Sequence, residues 1–195
     1  MLSPRFDDAL GFAAALHRDQ VRKGTAIPYV AHLLAVCSIV LEHGGDEDAA
    51  IAALLHDGPE DRGGLATLEA IRDRFGDAVA DVVAECSDTF EDPKPPWIER
   101  KERYLARIDR DDVAPSVWLV SAADKLHNLR ATLDDLDVIG DPVWGRFRST
   151  PAQQVWYYST LAGIYRRRLP GTLAESVAEA AGRLAREVGP RPESP

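Results

Sequence analysis

Residues 49–61 read AAIAALLHDGPED, seven apolar side chains in succession followed by histidine and aspartate. A helix that is apolar on every side has no face to give to water, so this run is expected at the centre of the fold. Asp46, Glu47 and Asp48 precede it and put negative charge where a helix dipole favours it. Proline disfavours helical geometry in the residue before it. The helix is therefore expected to break at Gly58-Pro59, with Glu60 and Asp61 on a turn beyond. A buried imidazole or carboxylate is costly unless paired, hydrogen-bonded or bound to metal. Neutral imidazole with carboxylate oxygens suits Mn2+, Fe2+ or Zn2+. By itself the dipeptide His56-Asp57 decides little, because adjacent His and Asp arise by chance in many chains.

Two further apolar helices raise its weight. Residues 30–44, VAHLLAVCSIVLEHG, follow Pro28, which suits a first helical turn, and they stop at Gly44-Gly45. They carry His32 near their start, and residues 117–129, VWLVSAADKLHNL, carry Asp124. Inward ligands from separate helices are a common way to build a metal site in a helical core.

Helical periodicity runs through the rest, with no stretch of alternating strand character. Phe6, Leu10, Ala13, Ala14 and Leu16 form one stripe, and a polar segment, 18–25, follows with Gly24 in it. Helices are expected over 65–75, 77–86, 97–108, 114–136, 151–168 and 172–188, with a proline-rich loop over 89–96. The expectation is an all-α, multi-helix bundle, one domain over 1–188 and a disordered tail over 189–195.

The 195 residues are 45% hydrophobic and 28% charged, as in an ordinary soluble globular protein. A net charge of -9 argues against nucleic-acid binding but leaves room for a small anionic substrate. Two cysteines make neither a disulfide framework nor a thiolate metal site. The chain starts without a signal peptide's pattern and has no run of about 18 apolar residues, so a cytoplasmic protein away from the membrane is expected. Oligomeric state stays open, a homo-oligomer included.

The order H…HD…ED…D, in YVAHLLAV, ALLHDGPED and SAADKLHNLRA, resembles the hydrolase domain of RelA/SpoT-type alarmone enzymes and the free-standing small alarmone hydrolases, both of the HD superfamily. RKGTAIPY and IRDRFGDAVADVV extend the resemblance, which spans residues 5–168. It implies one divalent metal, commonly Mn2+, on His32, His56, Asp57 and Asp124. Superfamily members with more metals need extra histidines between the HD dipeptide and the last aspartate, and residues 58–123 contain none. Glu60 and Asp61 match the catalytic acidic pair, placed to accept a proton from water and orient it toward phosphorus. Arg22 and Lys23 match the basic pair beside the nucleotide. Lys125 and Asn128 follow Asp124, and Asn128 matches an asparagine near the ribose. Tyr157 is a candidate for a tyrosine that contacts the nucleotide, with Trp156 and Tyr158 leaving that alignment ambiguous. His17 and His127 lie outside the ligand pattern and are expected to be structural or exposed. The cations Arg166, Arg167 and Arg168 are explained by the dipole of a helix end.

In one place the chain departs from the family. Where the family has a threonine-valine pair between HD and ED, this chain has Gly58-Pro59, which puts the geometry of the acidic pair in question. The resemblance implies a hydrolase removing the 3′-pyrophosphate from ppGpp-like or ppApp-like nucleotides. Two alternatives stand beside it. One is an HD phosphatase acting on a nucleoside monophosphate or a 2′-phosphorylated dinucleotide such as NADPH. The other is a catalytically weak nucleotide-binding regulator.

Overall fold

The computed structural model describes residues 1–91 and 93–189. In chain order the helices are α1 (Pro4–Leu16), α2 (Val30–Glu42), α3 (Glu47–Leu55), α4 (Gly58–Asp61), α5 (Gly64–Phe75), α6 (Asp77–Cys86), α7 (Trp97–Ile108), α8 (Pro115–Ile139), α9 (Pro151–Arg168) and α10 (Thr172–Val188), with a 3-10 segment over Asp141–Arg146. The described residues contain no strand, only an isolated bridge between Val21 and Pro28. None of their helices is long and apolar enough to cross a membrane. The all-α expectation holds. Beyond Gly189, the tail expected to be disordered lies outside the described residues.

The centre is α3, as its composition requires. All seven residues from Ala49 to Leu55 are buried, and α1, α2, α6 and α8 pack around it. Ile51, Leu54 and Leu55 are wholly covered, each contributing about 1.5–3 kcal/mol of transfer free energy. Asp46 caps the helix by accepting a 2.9 Å hydrogen bond from the Ala49 N–H.

Three local readings change. Pro28 lies outside α2, in the turn ahead of Tyr29, where it faces Val21 across the bridge. The polar segment before it is an ordered hairpin. The Arg22 N–H donates to the Ile27 carbonyl at 2.8 Å, and the Tyr29 N–H donates to the Gln20 carbonyl at 2.9 Å. Gly24 makes its tip possible, with φ at +73° and the Arg146 Cδ so close that a Cβ would sit 2.7 Å from it. Finally, α3 ends at Leu55, just before Gly58-Pro59, and Glu60 and Asp61 lie beyond the break as expected, but on a helical turn that includes the proline. Gly58–Asp61 is one helical turn, closed by Arg62 N–H to Gly58 carbonyl at 2.8 Å. Pro59 sits in the first turn, where its missing N–H would have had no helical partner.

Candidate metal centre

His32 lies near the start of α2, His56 and Asp57 join α3 to α4, and Asp124 lies midway along α8. The packing of α2, α3 and α8 on one another brings these ends together. Nε2 of His32 is 3.2 Å from Asp124 Oδ1 and 3.4 Å from Asp57 Oδ2. Nε2 of His56 is 3.0 Å from Asp57 Oδ2 and 3.6 Å from Asp124 Oδ1. Ligand atoms of His32, His56 and Asp124 lie within 4.8 Å of one another, all three residues buried.

The donor set fits a cation. His56 donates from Nδ1 to the Ala53 carbonyl at 2.8 Å, which turns Nε2 inward. That Nε2 is buried with no hydrogen-bond partner, although a carboxylate is 3.0 Å away. An orphaned imidazole nitrogen beside two carboxylates is what a divalent ion would satisfy. Without one, the cluster balances itself with protons. Burial opposes charge on His56, but Asp57 and Asp124 outweigh it and hold its pKa well above the ordinary value. Burial likewise pushes Asp124 up, but Lys125 and the two histidines outweigh it and hold it well below the usual carboxylate range. Tyr29 donates to Asp57 Oδ2 at 2.5 Å, and burial with nearby aspartates keeps its hydroxyl protonated.

The acidic pair leaves this cluster in two directions. Asp61 accepts 2.7 Å from Gln20 Nε2 and is exposed to solvent. Loss of surrounding water and the charges of Asp57 and Glu60 push its carboxyl up to about 6. Glu60 turns toward the loop after α6, where Lys94 Nζ meets it at 2.9 Å and the Asp88 N–H at 3.1 Å. Gly58 lies against Leu16, whose Cδ2 would be 3.0 Å from any Cβ there. The small residue thus belongs to the packing of this turn.

Beside the cluster opens a cavity of about 290 Å3, close to the size of small-molecule sites. Arg22, Lys23, Lys125, Asn128 and Tyr157 all line it. The structure divides their roles. Lys125 makes its ion pair with Asp124, and Asn128 donates to the same carboxylate at 2.5 Å. Both therefore hold Asp124 as well as facing the cavity. Arg22 donates to Asn128 Oδ1 at 3.0 Å. Lys23 is exposed at the rim, while Tyr157 is buried with its hydroxyl unpaired. The ambiguity with its neighbours narrows here, since Tyr158 shares the cavity and Trp156 does not line it.

A family model described as an HD domain matches residues 9–137, well over half of the sequence. The chain belongs to the HD-domain family. Among curated relatives, the guanosine-3′,5′-bis(diphosphate) 3′-pyrophosphohydrolase MESH1 of Xenopus tropicalis is 39% identical over 126 residues, covering 63% of this chain and 66% of its own. The human MESH1 is 37% identical over the same length and shares. A probable GTP pyrophosphokinase of Mycobacterium leprae is 37% identical over 58% of this chain, which is 14% of that longer protein. The chain thus spans just under two thirds of the MESH1 relatives it matches. Of solved structures, a metazoan ortholog of SpoT, described as hydrolysing ppGpp, superposes with TM-score 0.74 at 26% identity, covering 97% of this chain and 98% of that one. A Listeria monocytogenes protein, lmo0812, superposes with TM-score 0.61 at 30% identity, over 80% and 96% of the two chains.

This HD domain also holds residues that sequence reasoning did not single out. Lys101 lies in the cavity wall, 5.1 Å over the Tyr157 ring and 3.1 Å from Asp88. Arg146 reaches the same cavity across Gly24. Gln20, Tyr29 and Lys94 fasten Asp61, Asp57 and Glu60 in turn. Tyr29 stood inside the quoted phrase RKGTAIPY, the one signal available for any of them. His127, set aside as structural or exposed, is half-buried, with its Nδ1 2.8 Å from Nδ1 of His32. His17 is buried and structural, stacked on Tyr29 with ring centroids 5.2 Å apart.

Proposed function

We propose that this HD domain hydrolyses the 3′-pyrophosphate of a ppGpp-like or ppApp-like nucleotide, with one divalent cation, Mn2+ by preference, on His32, His56, Asp57 and Asp124. The observation that carries the reading is the buried Nε2 of His56, which makes no well-directed hydrogen bond and faces His32, Asp57 and Asp124 beside a cationic cavity. The names of the MESH1 relatives and the fold of the SpoT ortholog supply the substrate class. A cation there supplies a Lewis acid that lowers the pKa of a water and neutralises phosphoryl charge.

The protein's own groups do the rest. Asp61 is anionic above about pH 6, so at neutral pH it accepts a proton from water, and Gln20 fixes its orientation. Glu60, held by Lys94, is the second acid. Lys125 and Asn128 keep Asp124 in place. Arg22 and Lys23 face the nucleotide, and Tyr157 forms part of the cavity wall beside it. Water oxygen bonds to the phosphorus attached to O3′, the P–O3′ bond breaks, and O3′ leaves as the ribose hydroxyl. The products are a nucleoside 5′-diphosphate and intact pyrophosphate.

The test is a substrate panel with manganese-loaded protein, measuring pyrophosphate and orthophosphate separately. ppGpp or ppApp should give GDP or ADP with pyrophosphate. Orthophosphate as the sole product, with no turnover of any 3′-pyrophosphorylated nucleotide, would overturn the reading in favour of a monophosphate or 2′-phosphate substrate.

A further inference from the structure

Both histidines of the cluster present Nε2 inward, but they are oriented by different means. For His56 the partner of Nδ1 is a carbonyl, which only accepts, so its tautomer is settled by the backbone. For His32 the partner is another histidine, whose Nδ1 either donates or accepts. The ambiguity is resolved one residue further out. Arg22 Nη1 lies 3.3 Å from the same Nδ1 of His127, and a guanidinium has donors only. That contact favours a lone pair on Nδ1 of His127, shared between the two donors, and assigns the hydrogen in the 2.8 Å contact to His32.

We infer that His127 is a positioning residue that accepts from His32 Nδ1, orients that ring, and commits His32 Nε2 to the metal cluster. The inference rests on the metal reading proposed above. It gives His127 the part that the Ala53 carbonyl plays for His56. His127 lies one residue before Asn128 and three after Asp124, so α8 supplies a ligand and the support of a second ligand within one turn. Arg22 meets both His127 and Asn128, at 3.3 and 3.0 Å, so one guanidinium seats the outer supports of His32 and of Asp124 together. Partners of this kind are worth about 10–100-fold in metal affinity.

Two measurements test it. The first uses 15N-histidine-labelled protein without metal, in which NMR shows which nitrogen carries the shared hydrogen. His32 Nδ1 should carry it, coupled across the hydrogen bond to His127 Nδ1. A hydrogen attached to His127 Nδ1 would overturn the assignment, and this readout needs neither a variant nor a cation. The second is Mn2+ affinity by competition with a chelator, on the full chain, with folding checked by circular dichroism. His127→Leu should bind Mn2+ about 10–100-fold more weakly. His127→Asn, which restores an acceptor near the Nδ1 position, should regain most of that loss. If His127→Leu is folded and binds like wild type, the positioning role is wrong. If wild type itself binds no Mn2+, the metal reading fails, while the NMR result still decides where the hydrogen lies.

Discussion

Replacing Asp124 with alanine in metal-free protein should lower the melting temperature by about 10 °C. Asp124 is 5% exposed and receives Lys125 Nζ and Asn128 Nδ2, with His32 Nε2 3.2 Å from its Oδ1. Without the carboxylate, the Lys125 ammonium keeps its place over the Tyr104 ring, 5.2 Å from the centroid, with no other ion-pair partner among the described residues. Breaking a buried pair from one side costs about 3–5 kcal/mol. For a chain of this size each kcal/mol moves the midpoint by about 2–4 °C, which gives the stated drop. Calorimetry in excess chelator isolates this cost from the loss of metal. Asp124→Ala with Lys125→Met should recover most of the stability, because removing both charges leaves nothing uncompensated. If the stripped Asp124→Ala protein melts within about 2 °C of stripped wild type, the charge balance drawn for this cluster is wrong. With Mn2+ present the gap should widen, by about 2.7 kcal/mol at a metal concentration 100 times the dissociation constant.

Glu60→Gln and Asp61→Asn should each keep Mn2+ and the fold, by metal analysis and circular dichroism, but lose on the order of 10²-fold in turnover. Wild-type rates in both would mean that the acidic turn is only solvated. Turnover should rise with pH as Asp61 ionises, through about 6 before metal contributes and lower once a cation offsets Asp57. Because its folded pKa is raised above the free value, Asp61 favours the fold when protonated, and that contribution fades as pH climbs through about 6. Stability curves of Asp61→Asn and wild type should therefore agree best at low pH, with the variant the more stable above it. Gly24→Ala should raise KM for the nucleotide more than it lowers kcat, since φ of +73° and the crossing Arg146 side chain displace the turn that carries Arg22. An unchanged KM would separate the hairpin from substrate binding.

The parts of this molecule read best from sequence are those decided by local composition. The run 49–55 admits no surface helix, and it is indeed the enclosed one. The histidine and aspartates emerging from such runs had to meet something, and they meet one another. Helical geometry before Pro59 is possible because the clash with the proline ring falls partly on a Cβ, which Gly58 lacks, and because this proline occupies a first turn. Lys94, Lys101 and His127 were illegible for a different reason. Nothing in their neighbours' identity encodes a distance, and the contacts that give them work cross 34, 13 and 95 positions of the chain.

The hairpin before α2 has a consequence for how this protein can vary. Within ten residues, Gln20 grips Asp61, Arg22 meets the residues that hold His32 and Asp124, and Tyr29 grips Asp57. These three attachments share one register, set by the bridge between Val21 and Pro28. A single inserted residue would slide all of them at once, so the loop's length is fixed more tightly than the identity of the residues that make none of these attachments. New substrate preferences are accordingly easier to reach from the opposite wall, where Trp97 and Lys101 stand on α7 and are fastened to no ligand of the cluster. An engineer varying that wall and leaving 20–29 intact would alter what the cavity holds without disturbing what faces it.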